Sequence, residues 1–307
     1  MLPFKLMYSD AYDLNLGQHV FQAQKYRLIH DRLLKERFAE PADFVEPEPA
    51  SDDDMLLAHD PEWVGKLRHG TLTFHEILKL EIPYSRKTVD AFWLMTGGTI
   101  AAARNALREG FGFNAGGGFH HGFRGHGEGF CAVNDVAVAI RRVQRDGLAD
   151  RVMVVDVDVH QGNGTASIFA EDPTVFTLSI HQFNNYPFEK PPSNLDINLE
   201  DGVSDADYLK KLEEGLVPSV AQFRPQLIMY VGGADPFMED QLGGLLLTHE
   251  GLAKRDRLVF DIAHKNGIPV CVTLAGGYAF NPFDTVLIHC GTAKAGAEIF
   301  ASNAPSK

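Results

Sequence analysis

The stretch VVDVDVHQGNG, residues 154–164, decides the fold because an apolar run leads directly into three side chains that can bind a metal. The run has the length and β-branched composition of a buried parallel strand. In an extended chain, side chains two positions apart share a face, so we expect Asp156, Asp158 and His160 to project together at the strand end. Two carboxylates and one imidazole there predict a metal site. The alternative interpretation is that the carboxylates cap the following helix.

Further apolar runs of similar length occur along the chain, and helix-like stretches lie between them. The predicted strands cover residues 5–8, 151–157, 174–180, 226–231 and 268–274. The predicted helices cover 88–109 before Gly110, 135–146 between Asn134 and Gly147, and 249–266 between Thr248 and Gly267. This alternation predicts an α/β fold, an open and mostly parallel sheet flanked by helices on both faces. We expect a single domain over residues 1–307, with the acidic, Pro-rich segment 40–54 as a solvated loop.

The composition is that of a globular enzyme, with 45% hydrophobic and 22% charged residues among 307. The net charge of −13, from 28 basic and 41 acidic residues, argues against a nucleic-acid partner. Three cysteines without CxxC spacing predict neither a disulfide framework nor a cysteine zinc site. The N-terminus has no signal-peptide pattern, and no apolar run of about 18 residues occurs. We therefore expect no membrane partner and a cytoplasmic location.

Two further motifs follow predicted strands, where the loops of an open parallel sheet bind ligands. Asp235, in GADP at 233–236, ends its own strand and lies near the first site if the two strands are neighbours. An Asp-Pro turn explains the same residues without a ligand. Tyr278, in LAGGY at 274–278, follows a double glycine, so its hydroxyl can point into a pocket. Ordinary packing of a loop tyrosine is the alternative.

Two glycine-rich segments complete the set. GGGFHHG at 116–122 carries His120 and His121 on a backbone that can approach a ligand closely, although tandem histidines also occur in plain polar loops. In EGFC at 128–131, Phe130 suits either the wall of a narrow tunnel or the core. Together the motifs supply a metal, a paired base and a phenolic donor. Metal-assisted hydrolysis requires a Lewis acid, a proton shuttle and an oxyanion donor of this kind.

With these motifs in this order, the chain resembles the histone deacetylase superfamily, whose arginase-like fold is an open parallel sheet flanked by helices. The resemblance extends from about residue 8 to about residue 291. It is carried by GGGFHH at 116–121, GFCAVND at 129–135, DVDVHQGNGT at 156–165, GGADPFMEDQLGG at 232–244 and GGY at 276–278. HQGNG, DQLGG and the later KRD at 254–256 look most like class IV deacetylases and their prokaryotic relatives.

The resemblance implies one catalytic zinc ion held by Asp158, His160 and Asp235, with a position left open for substrate. It implies that His121 is the general base and that His120 gives electrostatic support. Zinc is the family's expectation rather than a deduction from the ligands, because two carboxylates and one imidazole also suit Fe(II), Mn or Co.

Further roles follow from the same resemblance. Asp156 is expected to orient His120 and, with Ser179, to line a site for K⁺ or Na⁺. Tyr278 is expected to polarise the substrate carbonyl. The acyl-lysine tunnel is expected to be lined by Gly129, Phe130, Gly277 and, from the loop 183–192, Tyr186.

The chain departs from part of the family at Asn163, where many members place an aspartate as partner of the second histidine. An amide cannot raise imidazole basicity as a carboxylate does, so the expectation is a lower pKa for His121. Other classes also carry asparagine at this position, so the departure concerns the pH optimum and not the activity itself.

Several functions share these residues. An acyl-lysine deacylase and an acetylpolyamine amidohydrolase would use the same chemistry. An arginase-like ureohydrolase needs further His and Asp ligands for two manganese ions, and no second carboxylate follows His160 in HQGNG. A binding module without activity would lack His121 or Tyr278, and both are present. The acyl chain and the oligomeric state are left open by the sequence.

Overall fold

The computed structural model describes residues 1–300, so residues 301–307 of the predicted domain lie outside the described part. Its sheet is open, and every adjacent pair of strands is parallel. The strands are β1 (Leu6–Met7), β2 (Phe44–Val45), β3 (Phe111–Asn114), β4 (Val152–Asp156), β5 (Val175–Gln182), β6 (Leu195–Leu199), β7 (Leu227–Gly232) and β8 (Val270–Leu274), in the spatial order β2-β1-β3-β8-β7-β4-β5-β6. The predicted parallel α/β sheet is confirmed.

The helices connect these strands. They are α1 (Lys25–Lys35), α2 (Asp52–Met55), α3 (Pro61–His69), α4 (Phe74–Leu80), α5 (Arg86–Glu109), α6 (Asp135–Arg145), α7 (Asn163–Ile168), α8 (Asp205–Phe223), α9 (His249–Lys265) and α10 (Pro282–Phe300). Asn134 and Thr248 are N-caps as predicted, each accepting a backbone N–H with its side chain. Helix α5 begins earlier than predicted because Ser85 caps it, and it ends at Gly110 in the left-handed conformation. In residues 1–300, we find no helix long and apolar enough to cross a membrane.

Strand β3 shows that helices cover both faces of the sheet. Successive side chains of a strand point to opposite faces. Phe111 packs against Phe260 of α9 and Phe300 of α10, with ring centroids 5.5 and 5.2 Å apart. A Cβ on the next residue, Gly112, would come within 1.9 Å of the Ala102 carbonyl oxygen of α5. Helix α5 therefore lies on one face, and α9 and α10 lie on the other.

The order of the strands positions the site. Strands β4 and β7 are neighbours, yet the chain continues from β4 to β5 on one side and from β7 to β8 on the other. Such a reversal leaves a crevice at the carboxyl ends of the two strands, where open α/β sheets bind ligands. Asp158 follows β4 and Asp235 follows β7, so the two carboxylates meet at this crevice.

Segment 40–54 is not the solvated loop that was predicted. It contains the edge strand β2 and the helix α2, and the carboxylates of Asp43 and Asp54 are buried. Asp43 accepts the backbone N–H of Leu2 at 3.0 Å, and Asp54 forms an ion pair with Arg142. The prediction was wrong because these acidic residues have partners far along the chain. The strands β3 and β6 were also missed, because β3 is short and β6 is a half-buried edge strand.

We expect Gly112→Ala to lower the free energy of unfolding by about 1–3 kcal/mol, because the added methyl group would overlap the α5 backbone. Gly65→Ala in α3 is the matched control, since a Cβ there has no atom within 4 Å. The control should stabilise the chain by about 0.5–1 kcal/mol through helix propensity. Urea unfolding of both variants is the measurement, and equal midpoints would contradict the packing of α5 on β3.

Candidate active site

Three buried side chains converge at the crevice between β4 and β7. The ligand atoms of Asp158, His160 and Asp235 all lie within 4.8 Å of one another. His160 Nδ1 is 3.0 Å from Asp158 Oδ1 and 3.3 Å from Asp235 Oδ2. Residues from two strands that are distant in sequence therefore share one site with two oxygen donors and one nitrogen donor.

Backbone groups hold the two carboxylates in place. Gly276 N donates to Asp158 Oδ2 at 2.7 Å, and Val159 N donates to Asp235 Oδ1 at 2.9 Å. A side chain at position 276 would not fit, because its Cβ would lie 1.9 Å from Asp235 Oδ2. That oxygen is buried and has no hydrogen-bond partner. A buried, unpartnered carboxylate oxygen beside a second carboxylate is costly without a cation, so the residues fit a metal ion.

The charge of the site also fits a cation. Burial and the neighbouring Asp158 raise the pKa of Asp235 to about 7. Burial lowers the pKa of His160, but the hydrogen bond with Asp158 and the charges of Asp158 and Asp235 raise it to about 10. Protons therefore occupy the metal-free site at neutral pH, and a metal ion would replace them. Zn²⁺ accepts this donor set, as do Fe(II), Mn and Co.

Arg255 of α9 forms hydrogen bonds with the backbone that follows both β4 and β7. Its guanidinium is fully buried, and Nη1 donates to the Gly233 carbonyl at 2.7 Å and to the Val157 carbonyl at 3.3 Å. These carbonyls stand just before the metal-site carboxylates. Asp256 accepts from Arg255 Nε and Nη2 at 2.9 and 2.8 Å, which neutralises the buried charge. Sequence reasoning noticed this pair only as part of the KRD resemblance.

Asp156 does not join the metal-site cluster, contrary to the expectation from spacing alone. Strand β4 ends at Asp156 and the chain bends over 158–160, so the two-residue alternation stops there. Asp156 Oδ2 instead lies 2.7 Å from His120 Nδ1. This arrangement matches the orienting position that the resemblance implies.

The two adjacent histidines have different partners. Their rings are 4.0 Å apart between centroids, and His121 Nδ1 lies 2.7 Å from Asn163 Oδ1. Burial lowers the pKa of His120, but the charges of Asp156 and Asp158 raise it to about 9. Burial, together with the charges of His120 and His160, holds the pKa of His121 well below its usual range. The arrangement thus pairs a cationic His120 with a neutral His121 that can accept a proton.

A cavity of about 190 Å³ brings the predicted residues together. His121, His160 and Tyr278 line it, and Gly129, Phe130 and Tyr186 form its walls. Burial, with the charges of Asp158 and Asp235, raises the pKa of Tyr278 well above its usual range, so the phenol keeps its proton. Sequence reasoning missed three more lining residues: Glu81, Asn185 and Leu242. Leu242 lies in the DQLGG motif and Asn185 lies in the loop 183–192, but no local pattern marks Glu81.

Gly277 and Ser179 are not among the residues that line this cavity. Gly277 lines a separate small cavity with Lys25, Tyr278 and Thr285. Ser179 is opposite Asp156 in the register of β4 and β5, and its Oγ is 2.9 Å from His181 Nδ1. The two residues expected to line a monovalent cation site are therefore neighbours.

Lys25 is a buried cation that sequence reasoning did not single out. Its Nζ donates to the Ala275 carbonyl at 2.6 Å and lies 5.9 Å from the centroid of the Tyr278 ring. Burial lowers the pKa of Lys25 to about 8. No local pattern marks Lys25, because its neighbours in the fold come from the other end of the chain.

Comparison with known proteins agrees with this geometry. The histone deacetylase domain matches residues 19–292, so the chain belongs to the histone deacetylase family. An uncharacterized protein of Picosynechococcus sp. is 40% identical over 97% of this chain and 99% of its own length. Histone deacetylase 2 of Arabidopsis thaliana is 31% identical over 89% of this chain and 74% of its own.

The fold has a counterpart among solved structures. The crystal structure of the HDA15 HD domain has a TM-score of 0.79 at 22% identity, covering 97% of this chain and 91% of that chain. The family and the fold that the motifs implied are thus confirmed. The comparisons indicate a deacetylase.

We expect the affinity of the metal-free protein for Zn²⁺ to rise with pH between about 7 and 9, by roughly tenfold per unit, because His160 must lose a proton to become a ligand. Titration calorimetry in buffers of different ionisation enthalpy measures the released protons. Asp235→Asn should lose metal, whereas His121→Ala should retain it. A zinc affinity that does not change with pH would contradict the assignment of His160 as a ligand.

Proposed function

We propose that the chain is a zinc-dependent amidohydrolase that removes an acyl group, acetyl or longer, from N-acyl-lysine. The observation that carries this proposal is the buried cluster of Asp158, His160 and Asp235, whose His160 lines the same cavity as a neutral His121 and Tyr278. A bound zinc ion would act as a Lewis acid toward the substrate carbonyl and the attacking water. The remaining chemistry belongs to side chains of this chain.

His121 acts as the general base in this proposal. It takes a proton from the attacking water and later returns a proton to the leaving amine. Its low pKa keeps the imidazole neutral before the reaction, which a base requires. His120, held as a cation by Asp156, stabilises the negative charge that develops nearby.

Tyr278 donates a hydrogen bond from its hydroxyl to the substrate carbonyl oxygen, on which negative charge accumulates. Its backbone is anchored for this task, since Tyr278 N donates to Asp240 Oδ2 at 2.6 Å and its carbonyl accepts from Gln241 Nε2 at 2.7 Å. The ring packs near Phe130, with centroids 6.0 Å apart, so it belongs to the same wall as the tunnel residues.

The substrate is a linear acyl-lysine that enters between Phe130 and Tyr186. A small acylated amine, such as an acetylpolyamine, is the second candidate. Glu81 favours it, because this carboxylate lines the cavity and would attract a free cationic amine. In both cases the acyl group reaches the same three ligands.

Other parts of the proposal rest on the resemblance and the composition. They are a single catalytic domain over 1–307, a relationship to class IV deacetylases, a cytoplasmic location, and a K⁺ or Na⁺ site beside Asp156 and Ser179. The single sheet with one continuous core over the described residues supports the first of these. The net charge of −13 supports the absence of a nucleic-acid partner.

Tyr278→Phe should lower kcat by about 10²–10³, because it removes one donor to the developing oxyanion. Steady-state kinetics on an acetyl-lysine peptide measure this effect. Metal content, checked by elemental analysis, should stay at the wild-type level. Near-normal turnover would remove Tyr278 from the mechanism.

The function itself is tested with a panel of acyl-lysine peptides and acetylpolyamines, assayed with metal-stripped and zinc-restored protein. We expect hydrolysis of at least one acyl-lysine peptide that disappears on stripping and returns with zinc. A hydroxamate should inhibit competitively by chelating the metal. Zinc-loaded protein that hydrolyses only the polyamines would favour the second candidate, and one that hydrolyses nothing in the panel would refute both.

A further inference from the structure

A chain of hydrogen bonds extends from His121 to the protein surface. His121 Nδ1 lies 2.7 Å from Asn163 Oδ1, and Asn163 Nδ2 donates to Glu128 Oε1 at 2.5 Å. The other oxygen of Glu128 pairs with Lys79 Nζ at 2.8 Å. Lys79 is about half exposed, whereas Glu128 and Asn163 are buried. The proposed base is thus connected to a buried carboxylate through one amide.

The donors and acceptors in this series of hydrogen bonds permit only one orientation of the Asn163 amide. An ionised carboxylate can only accept hydrogen bonds, so Glu128 must face the NH₂ group of Asn163. Gly164 N also donates to Asn163 Oδ1 at 3.0 Å, which requires an oxygen at that position. The amide oxygen therefore faces His121. Because that oxygen can only accept, the proton of neutral His121 sits on Nδ1 and leaves Nε2 unprotonated.

We propose that Glu128 is a positioning residue, which orients Asn163 and thereby selects the tautomer in which His121 Nε2 can accept a proton. The inference rests on the proposed function of His121 as the general base. His121 has no carboxylate as its direct partner. Asn163 contacts the ring in its place, and Glu128 provides the negative charge on the far side of Asn163. The residue types at 128 and 163 are complementary, because the carboxylate of Glu128 accepts from the amide of Asn163.

The surroundings of Glu128 keep it ionised. Burial opposes its charge, but hydrogen bonds from His126, Lys79 and Asn163 lower the pKa of Glu128 to about 2. The Tyr186 hydroxyl lies 3.3 Å from Oε1, and a carboxylate can only accept from it. The same carboxylate thus contacts both the partner of the base and a wall residue of the cavity.

The test exchanges the two partners. Asn163→Asp places two acceptors against each other at the contact with Glu128, so we expect kcat to fall by about tenfold or more, as for strongly coupled neighbours. In the double variant Glu128→Gln/Asn163→Asp, the new amide can donate to the new carboxylate. We expect kcat of the double variant to recover to within about threefold of the Glu128→Gln single variant.

The kinetic constants distinguish a role of Glu128 in positioning Asn163 from a general loss of folded structure. KM and zinc content should remain near the wild-type values in all three variants, with the loss confined to kcat. Glu62→Gln, which removes an exposed carboxylate paired with Lys66 on α3, is the matched control and should leave kcat unchanged. An Asn163→Asp variant as active as wild type, or a double variant no better than Asn163→Asp, would overturn the proposal.

A spectroscopic measurement makes the test independent of substrate. Nitrogen-15 NMR of the zinc-loaded full chain should show His121 protonated at Nδ1 and unprotonated at Nε2. Glu128→Gln should weaken this preference, because its amide can turn either its oxygen or its NH₂ group toward Asn163. The double variant should restore the preference, because the carboxylate introduced by Asn163→Asp can only accept a hydrogen bond from His121. Protonation at Nε2 in the wild type would overturn the proposal. The NMR measurement does not depend on catalytic activity. Failure of the proposed function would therefore appear in the activity assay, whereas failure of the Glu128 inference would appear in the protonation of His121.

Discussion

Two buried carboxylates placed beside one imidazole are the constraint on which the rest of this structure depends. Asp158 and Asp235 carry more negative charge than a buried site tolerates without a cation, and Asp235 Oδ2 has no hydrogen-bond partner. The sheet topology creates this proximity by making β4 and β7 neighbours. Backbone N–H groups, a glycine at 276 and the buried Arg255 then hold the two strand ends so that the three candidate ligand atoms lie within 4.8 Å of one another.

The hydrogen-bond partners of the two adjacent histidines shift their pKa values in opposite directions. His120 faces a carboxylate and is held as a cation, whereas His121 faces an amide and stays neutral. Both rings are buried, so the difference arises from their neighbours and not from exposure. The contact between Asn163 and Glu128 adds a second step to this arrangement. It keeps the buried charge of Glu128 one residue away from the His121 ring, for which we propose the role of general base.

Much of the fold could be predicted because its signals are local. The apolar runs marked five strands to within about two residues at each end, and the caps at Asn134 and Thr248 are visible in the sequence itself. Segment 40–54 was predicted wrongly, since the burial of Asp43 and Asp54 involves Leu2 and Arg142, which are distant in sequence. Glu128 was missed for the same reason, because its partners Asn163 and Lys79 are distant in sequence and an acidic residue in a loop is ordinarily solvated.

The sequence by itself determined which chemical groups stand at the strand ends, because strand periodicity and glycine-rich turns are properties of adjacent residues. Only the tertiary structure decided which of these groups meet. It separated Asp156 from the cluster through a bend after β4, and it brought Asp235 from a distant strand to His160. Long-range contacts depend on strand order and helix packing, so the metal-site geometry and the chain from His121 to Glu128 exist only in the folded molecule.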